Sequence, residues 1–225
     1  MRRTRGIWLV SALVLVLGVA LGALAAGAAQ AKVVVVLPRP GQVGVSGSYL
    51  YGTLLKAGNV GDQFGSGPGM AVRVRYRARY ERGFGLTFES YGLDVRDGKL
   101  FKDPLGLIYA EADTLLDPAS PYAPKKLNLS LYGVDFYQMF GTRTKTNKML
   151  SVGVGLAHVV RTLNDDENDF PLRDGVYLGA GAGIERFFWH SLAFDLGTRY
   201  QAVFLDGKLN HDLQASVGLI FYASL

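Results

Sequence analysis

Between Met70 and Tyr80 the chain reads Met-Ala-Val-Arg-Val-Arg-Tyr-Arg-Ala-Arg-Tyr. In an extended chain successive side chains point to opposite faces. Arg73, Arg75, Arg77 and Arg79 therefore share one side, and Val72, Val74, Tyr76, Ala78 and Tyr80 the other. A strand with one apolar and one charged face suits a sheet whose outer wall meets hydrocarbon and whose interior is polar. The same alternation recurs in about eight segments, the number and spacing expected of a transmembrane β-barrel.

The N-terminus points the same way. Arg2, Arg3 and Arg5 precede an apolar stretch from Ile7 to about Leu24, followed by small residues ending in Ala29-Gln30-Ala31. This is the form of a cleaved secretory signal over residues 1–31. Its apolar part is long enough that an uncleaved anchor is the alternative. Every later apolar run is interrupted by Gly, Arg, Asp or Glu, so any further membrane crossing is expected to use strands. Three of the 24 basic residues lie in the leader, leaving 21 against 19 acidic ones. The high isoelectric point is therefore no argument for nucleic-acid binding. The chain has no Cys, which excludes disulfides, thiolate metal sites and a lipidated N-terminal Cys.

Residues 32–40 carry two closely spaced prolines and read as a lead-in, and 41–225 as one barrel domain. The first strand is expected over about Gln42–Tyr51, with Gly52–Gly69 as a Gly-rich loop. The Arg strand follows and turns at Glu81-Arg82-Gly83 into Phe84–Leu93. After a long insertion, Asp94–Lys125, strand pattern resumes over Leu127–Phe140, with a bulge expected near Val134 where the alternation blurs. Three more strands begin near Leu150, Val176 and Leu192. A last one runs from about Leu213 to the C-terminus.

If the first strand starts on the periplasmic side, the longer connections fall outside and the shorter ones inside, the habit of outer-membrane barrels. Tyr80, Phe84, Phe140, Phe187, Phe188, Trp189, Phe221 and Tyr222 then fall at the periplasmic end, and Tyr49, Tyr51, Tyr177, Tyr200 and Phe204 at the other. Two aromatic girdles are expected of a barrel in a bilayer. A lipocalin-like soluble barrel is the alternative, but it would turn its apolar face inward.

On this architecture the chain resembles the small eight-stranded outer-membrane barrels, the OmpA-like, OmpX-like and OmpW-like porin-family proteins. The resemblance implies an all-β, antiparallel up-and-down transmembrane barrel in the outer membrane of a Gram-negative cell envelope. It implies contact with outer-membrane lipid and lipopolysaccharide, insertion by the barrel-assembly machinery, and a monomer. That machinery reads a final strand ending in an aromatic residue, whereas here Phe221 and Tyr222 are followed by Ala223-Ser224-Leu225.

The inward charges are the candidate site. Arg73, Arg75, Arg77, Arg79 and Arg199 face Glu89, Glu185 and Asp195 in this threading, with Glu89 expected nearly opposite Arg75. Gly153, Gly155, Gly179, Gly181 and Gly183 line the opposite wall and are expected to leave room for guanidinium groups crossing the lumen. A salt-bridge network holding a closed barrel is one reading. The competing one is a narrow, anion-attracting pore, because five Arg outnumber three acids.

In the long insertion, Asp103-Pro104 has helix-starting form, and Ile108, Ala112, Leu115 and Leu116 would share a helical face, as a lid or a partner surface. The acidic segment Asn164–Asp169 lacks Ca²⁺-loop spacing and reads as a solvated loop, with loose divalent bridging to lipopolysaccharide phosphates as the alternative. No cofactor or metal is expected. His158, His190 and His211 are the only histidines, and no nucleophile motif accompanies them. A lipid-modifying enzyme is thus the third reading, after envelope structure or surface interaction and after a channel.

Overall fold

The computed structural model describes residues 39–55, 60–61, 63–96, 101–102, 115–116, 124–142, 144–163, 169–171, 174–205 and 207–224. The leader and most of the lead-in lie outside these. Eight long strands follow the period-two segments: β1 (Gln42–Leu54), β2 (Ser66–Arg77), β3 (Arg82–Asp94), β6 (Pro124–Phe140), β7 (Thr146–Leu163), β9 (Gly175–Phe187), β10 (Leu192–Leu205) and β11 (Lys208–Ser224). Three short pieces complete the order: β4 (Phe101–Lys102), β5 (Leu115–Leu116) and β8 (Asp169–Pro171). The long strands pair antiparallel in the order β6-β3-β2-β1-β11-β10-β9-β7, and β6 pairs with β7 to close the ring. Closure removes the sheet edges, so each of the eight long strands is paired with a neighbour on both sides.

Valine, leucine and aromatic side chains point out. Val72, Val74 and Tyr76 on β2, Leu150, Val152 and Val154 on β7, and Leu213, Val217 and Leu219 on β11 are all exposed on the outer wall. Left in water this would be an untenable apolar surface. Outward aromatics collect toward the two ends, with Tyr80, Phe84, Phe140, Phe188, Trp189 and Phe221 at one and Tyr49, Tyr51, Tyr200 and Phe204 at the other. Phe187, Tyr222 and Tyr177 depart from the expected girdles. They point into the lumen and are buried, because each shares strand parity with an inward residue: Glu185 for Phe187, Ile220 for Tyr222 and Gly179 for Tyr177.

At one end the strands are joined by the short connections 78–81, 141–145 and 188–191, and at the other by longer ones. The exception at the long-loop end is the β10–β11 connection. It is a two-residue turn in which Leu205 pairs with Lys208 and Gly207 takes a φ of 73°, a left-handed conformation that glycine adopts without steric cost.

Three sequence expectations change. The first loop is shorter than Gly52–Gly69, since Ser66–Gly69 already belongs to β2 and pairs with β1 and β3. No bulge interrupts β6 at Val134, where Leu86 and Val154 sit in register on either side; the register shift lies between Pro124 and Lys126. The expected helix at 103–114 lies outside the described residues. Leu115 and Leu116 are not on a helical face but pair as β5 with Phe101 and Lys102 of β4. Of the acidic segment, Asn164–Asn168 also lies outside, and Asp169 opens β8, which extends the sheet from β7.

Candidate functional site

Inward residues form three layers along the barrel. Toward the long-loop end Leu50, Leu54, Val60, Phe64, Leu93, Leu127, Leu129, Leu131, Val159 and Val203 make an apolar cap. Toward the short-turn end lie Tyr137, Met139 and Met149 on one side, and Phe187, Ala193, Ile220 and Tyr222 on the other. Between them sits a buried layer of charge.

β2 supplies all three of its arginines to that layer. Arg73 Nη2 donates to Glu89 Oε1 at 2.7 Å. The two residues are diagonal neighbours on β2 and β3, with Arg73 in register with Thr87 and Glu89 with Ala71. Arg75 crosses the lumen to Glu185 Oε1, and its Nη2 lies 3.5 Å from Asp195 Oδ2. Arg77 Nη2 donates to Glu185 Oε2 at 2.6 Å. Tyr222 adds a hydroxyl donated to Glu185 Oε1 at 2.6 Å, so this one carboxylate accepts from two guanidinium groups and a phenol. The rings of Tyr137 and Tyr222 lie under Arg75 and Arg77 at 4.4 and 4.9 Å from the guanidinium carbons, a cation–π arrangement strengthened by exclusion of water.

On the other side Arg199 bridges to Asp135, Nη1 to Oδ2 at 2.9 Å and Nη2 to Oδ1 at 2.5 Å. Asp135 also accepts from the hydroxyls of Thr87 and, at 2.9 Å, Tyr137. Glu89 joins the two halves. Besides Arg73 it accepts from Gln201 Nε2 at 2.8 Å and lies 3.7 Å from Arg199.

Of the sequence-selected charges, Arg73, Arg75, Arg77, Glu89, Glu185, Asp195 and Arg199 come together in this layer. Arg79 does not. β2 ends at Arg77, and Arg79 sits exposed in the turn, where its backbone N–H bonds Arg82. Glu89 pairs with Arg73 and not with Arg75, because Arg75 is in register with Gly85. The sequence reading also missed Asp135, which the supposed bulge at Val134 concealed, although Gly133, Asp135 and Tyr137 continue the parity of Leu131. With Arg79 outside and Asp135 inside, four arginines face four carboxylates in the layer. The Arg excess behind the anion-pore reading is absent. A fifth carboxylate, Asp212, lies buried toward the cap and accepts from Tyr91 Oη at 2.8 Å.

The glycine wall serves other partners than expected. A Cβ on Gly153 would come within 1.9 Å of Asp135 Oδ1 and 2.5 Å of Arg199 Nη2, and one on Gly179 within 2.8 Å of Arg199 Nε. Those two glycines clear the way for the Arg199–Asp135 bridge. Gly155 makes room for Tyr177, Gly181 for Ser151 and Gly183 for Met149. At none of the five is a β2 arginine among the three atoms nearest the Cβ position. A cavity of about 30 Å³, on the order of one water, remains beside Arg73, Arg75, Asp195 and Ser216.

The histidines are peripheral. His158 Nδ1 lies 2.6 Å from Asp174 Oδ1 on the exposed surface, and His211 stacks on Tyr200 with ring centroids 5.8 Å apart. Among the described residues no serine hydroxyl bonds either ring, and no group of three or more His, Asp or Glu is placed to hold a metal.

The fold has counterparts among solved structures. OprG, an outer membrane protein from Pseudomonas aeruginosa, superposes with a TM-score of 0.55 at 13% identity over 83% of this chain and 98% of that one. The fold is that of the small eight-stranded outer-membrane barrels. Neisserial surface protein A matches with a TM-score of 0.52 at 14% identity over 80% of this chain and 95% of its own. The outer membrane protein AlkL, determined in DMPC lipid bilayers, matches at 0.51 and 14% over 88% and 96%. No protein-family model and no curated protein sequence matches this outer-membrane-type barrel.

Proposed function

We propose that the protein is an exported outer-membrane barrel whose lumen is closed by its charge layer, and that it acts in envelope structure or surface interaction through its long-loop end. The apolar outer wall between aromatic girdles supports placement in a bilayer, and the solved structures of like fold are outer-membrane proteins. By the usual habit of such barrels the short-turn end faces the periplasm. Residues 1–31 are then a cleaved signal, and the barrel-assembly machinery, outer-membrane lipid and lipopolysaccharide are the partners.

The observation that carries the closed reading is the buried layer itself. Arg75, Arg77, Glu89 and Glu185 are each at most 1% exposed, and apolar side chains cover them on both sides. An ion crossing the barrel would have to break paired buried charges, and breaking one such pair costs about 3–5 kcal/mol. Eight strands enclose a lumen that side chains can fill. In this role the network is a strut. It ties β2 to β9 on opposite sides of the ring and β6 to β10 across two strands, with no catalytic chemistry required of it.

The test is single-channel current from the refolded chain lacking residues 1–31, in a planar bilayer under a salt gradient, with insertion verified independently. Silence is expected. Discrete, ion-selective conductance would overturn the closed reading and favour a narrow channel.

A further inference from the structure

The outer wall at the short-turn end is charged on one side only. Lys148 on β7 points outward in the row of Leu150 and Val152, Arg186 on β9 in the row of Ile184, and Arg82 on β3 in the row of Phe84; all three are exposed. Lys148 is in register with Phe140 of β6 and with Ile184 of β9, while Arg186 is in register with Thr146 of β7 and Phe194 of β10. The two cations are thus diagonal neighbours on one face, a relationship that places such residues roughly 7–8 Å apart. An aromatic ring flanks each on its far side, and Phe194 packs at a tilt against Phe188 with ring centroids 4.6 Å apart. Among the described residues none of Arg82, Lys148 and Arg186 forms a salt bridge. The outward positions of β11 and β1 at this end carry Phe221, Ala223 and Val43 instead.

Beyond Arg186 the wall is low. Ala182 and Ala180 are exposed, in register with Leu150 and Val152 on one side and with Thr198 and Tyr200 on the other. They form the floor of a shallow trough that leads from the cation pair toward the middle of the apolar band.

We propose that this arc seats an anionic glycerophospholipid of the periplasmic leaflet, its phosphate between Lys148 and Arg186 and one acyl chain in the trough over Ala182 and Ala180. The inference rests on the membrane reading above. The cations alternate with lipid-facing residues, so they point sideways at headgroup depth and not along the barrel axis, where a periplasmic protein or cell-wall polymer would meet them. A phosphate with a net-negative headgroup matches two unpaired cations, whereas a zwitterionic lipid brings an ammonium group to the same place. Lipopolysaccharide phosphates belong to the other leaflet and the other end of the barrel.

The experiment uses the refolded chain in nanodiscs of phosphatidylcholine alone and of phosphatidylcholine mixed equally with phosphatidylglycerol. Heat-modifiable gel mobility establishes insertion in each. Native mass spectrometry then reads which lipid stays bound on transfer to mild detergent. Phosphatidylglycerol should be retained in preference, with each cation contributing roughly fivefold. The double variant Lys148→Gln/Arg186→Gln should lose that preference, and Lys208→Gln, at the opposite end, should keep it. Ala182→Leu, which fills the trough and leaves the charges, should weaken retention; unchanged retention would overturn the acyl-chain seat. Insertion without preference in the unsubstituted protein, or preference that survives the double variant, would overturn the whole inference. Failure to insert in either lipid would instead overturn the membrane reading.

Discussion

Arg199 on β10 and Asp135 on β6 form a two-point bridge across the lumen, with N–O distances of 2.9 and 2.5 Å, over two intervening strands that turn Gly153 and Gly179 toward it. A bidentate guanidinium–carboxylate pair fixes direction as well as distance. It therefore sets how far apart β6 and β10 can stand. Asp135→Ala leaves Arg199 with Glu89 alone, at 3.7 Å. We expect a loss of about 3 kcal/mol, the lower part of the range for breaking a buried pair because Glu89 keeps part of the compensation. Asp135→Leu combined with Arg199→Met removes both charges and should recover most of that loss. Urea unfolding in lipid vesicles, followed by the fluorescence of Trp189, measures both. A double variant no more stable than Asp135→Ala would show that the charge pair itself is not what the single substitution disrupts.

The same bridge makes Gly153 intolerant of even one methyl group. Its Cβ would fall 1.9 Å from Asp135 Oδ1, while Gly47, on the outer wall, has nothing within 4 Å of the corresponding position. Gly153→Ala is expected to cost about 1–3 kcal/mol as overpacking. Gly47→Ala should be neutral or stabilising by up to about 1 kcal/mol, the usual advantage of alanine in a regular element. Equal effects in the same unfolding assay would mean that the bridge moves aside freely.

The period-two rows on β2, β7, β9 and β10 made the barrel legible, because hydrocarbon outside and polar groups inside impose one alternation on every strand. Partners across the lumen follow a different rule. Arg75 and Glu185 are on opposite sides of the ring, and their meeting depends on strand stagger, which alternation leaves free. Asp135 was hidden for a local reason. On β6 the inward residues are apolar at Leu127, Leu129 and Leu131, within the cap, and farther along the outward ones are apolar at Tyr132, Val134, Phe136 and Phe140. The apolar side thus changes face while strand parity does not, and a parity count carried through Val134 would have found the carboxylate. Arg79 looked equivalent to its three neighbours because the alternation runs through the turn; only the end of hydrogen-bonded pairing at Arg77 separates it.

That separation can be measured. Glu185→Gln removes the charge that faces both Arg75 and Arg77, and because the two arginines reach different carboxylate oxygens, the amide must turn an NH2 donor toward one of them. A loss of about 3–5 kcal/mol is expected. Arg79→Gln, in an exposed turn, should fall within about 0.5 kcal/mol of the unsubstituted protein. Comparable losses for the two in urea unfolding would place Arg79 in the network after all.

The closed barrel proposed above has two tiers, apolar cap and charge layer, and substitution can tell which one blocks ions. Leu50 is 0% and Leu129 1% exposed within the cap. Replacing either by alanine should cost about 2–5 kcal/mol, the range for deleting a buried leucine side chain. The void this opens lies above the charge layer and leaves Arg75, Arg77, Glu185, Arg199 and Asp135 paired. The Leu50→Ala/Leu129→Ala protein should therefore be less stable yet remain electrically silent in a planar bilayer. Arg75→Ala acts the other way. It frees Asp195, leaves Glu185 to Arg77 and Tyr222, and enlarges the cavity already beside Arg73 and Ser216, so brief conducting events are expected from this variant even with the cap intact. Conductance from the leucine pair alone would mean that the cap is the gate and that the arginine layer serves stability only.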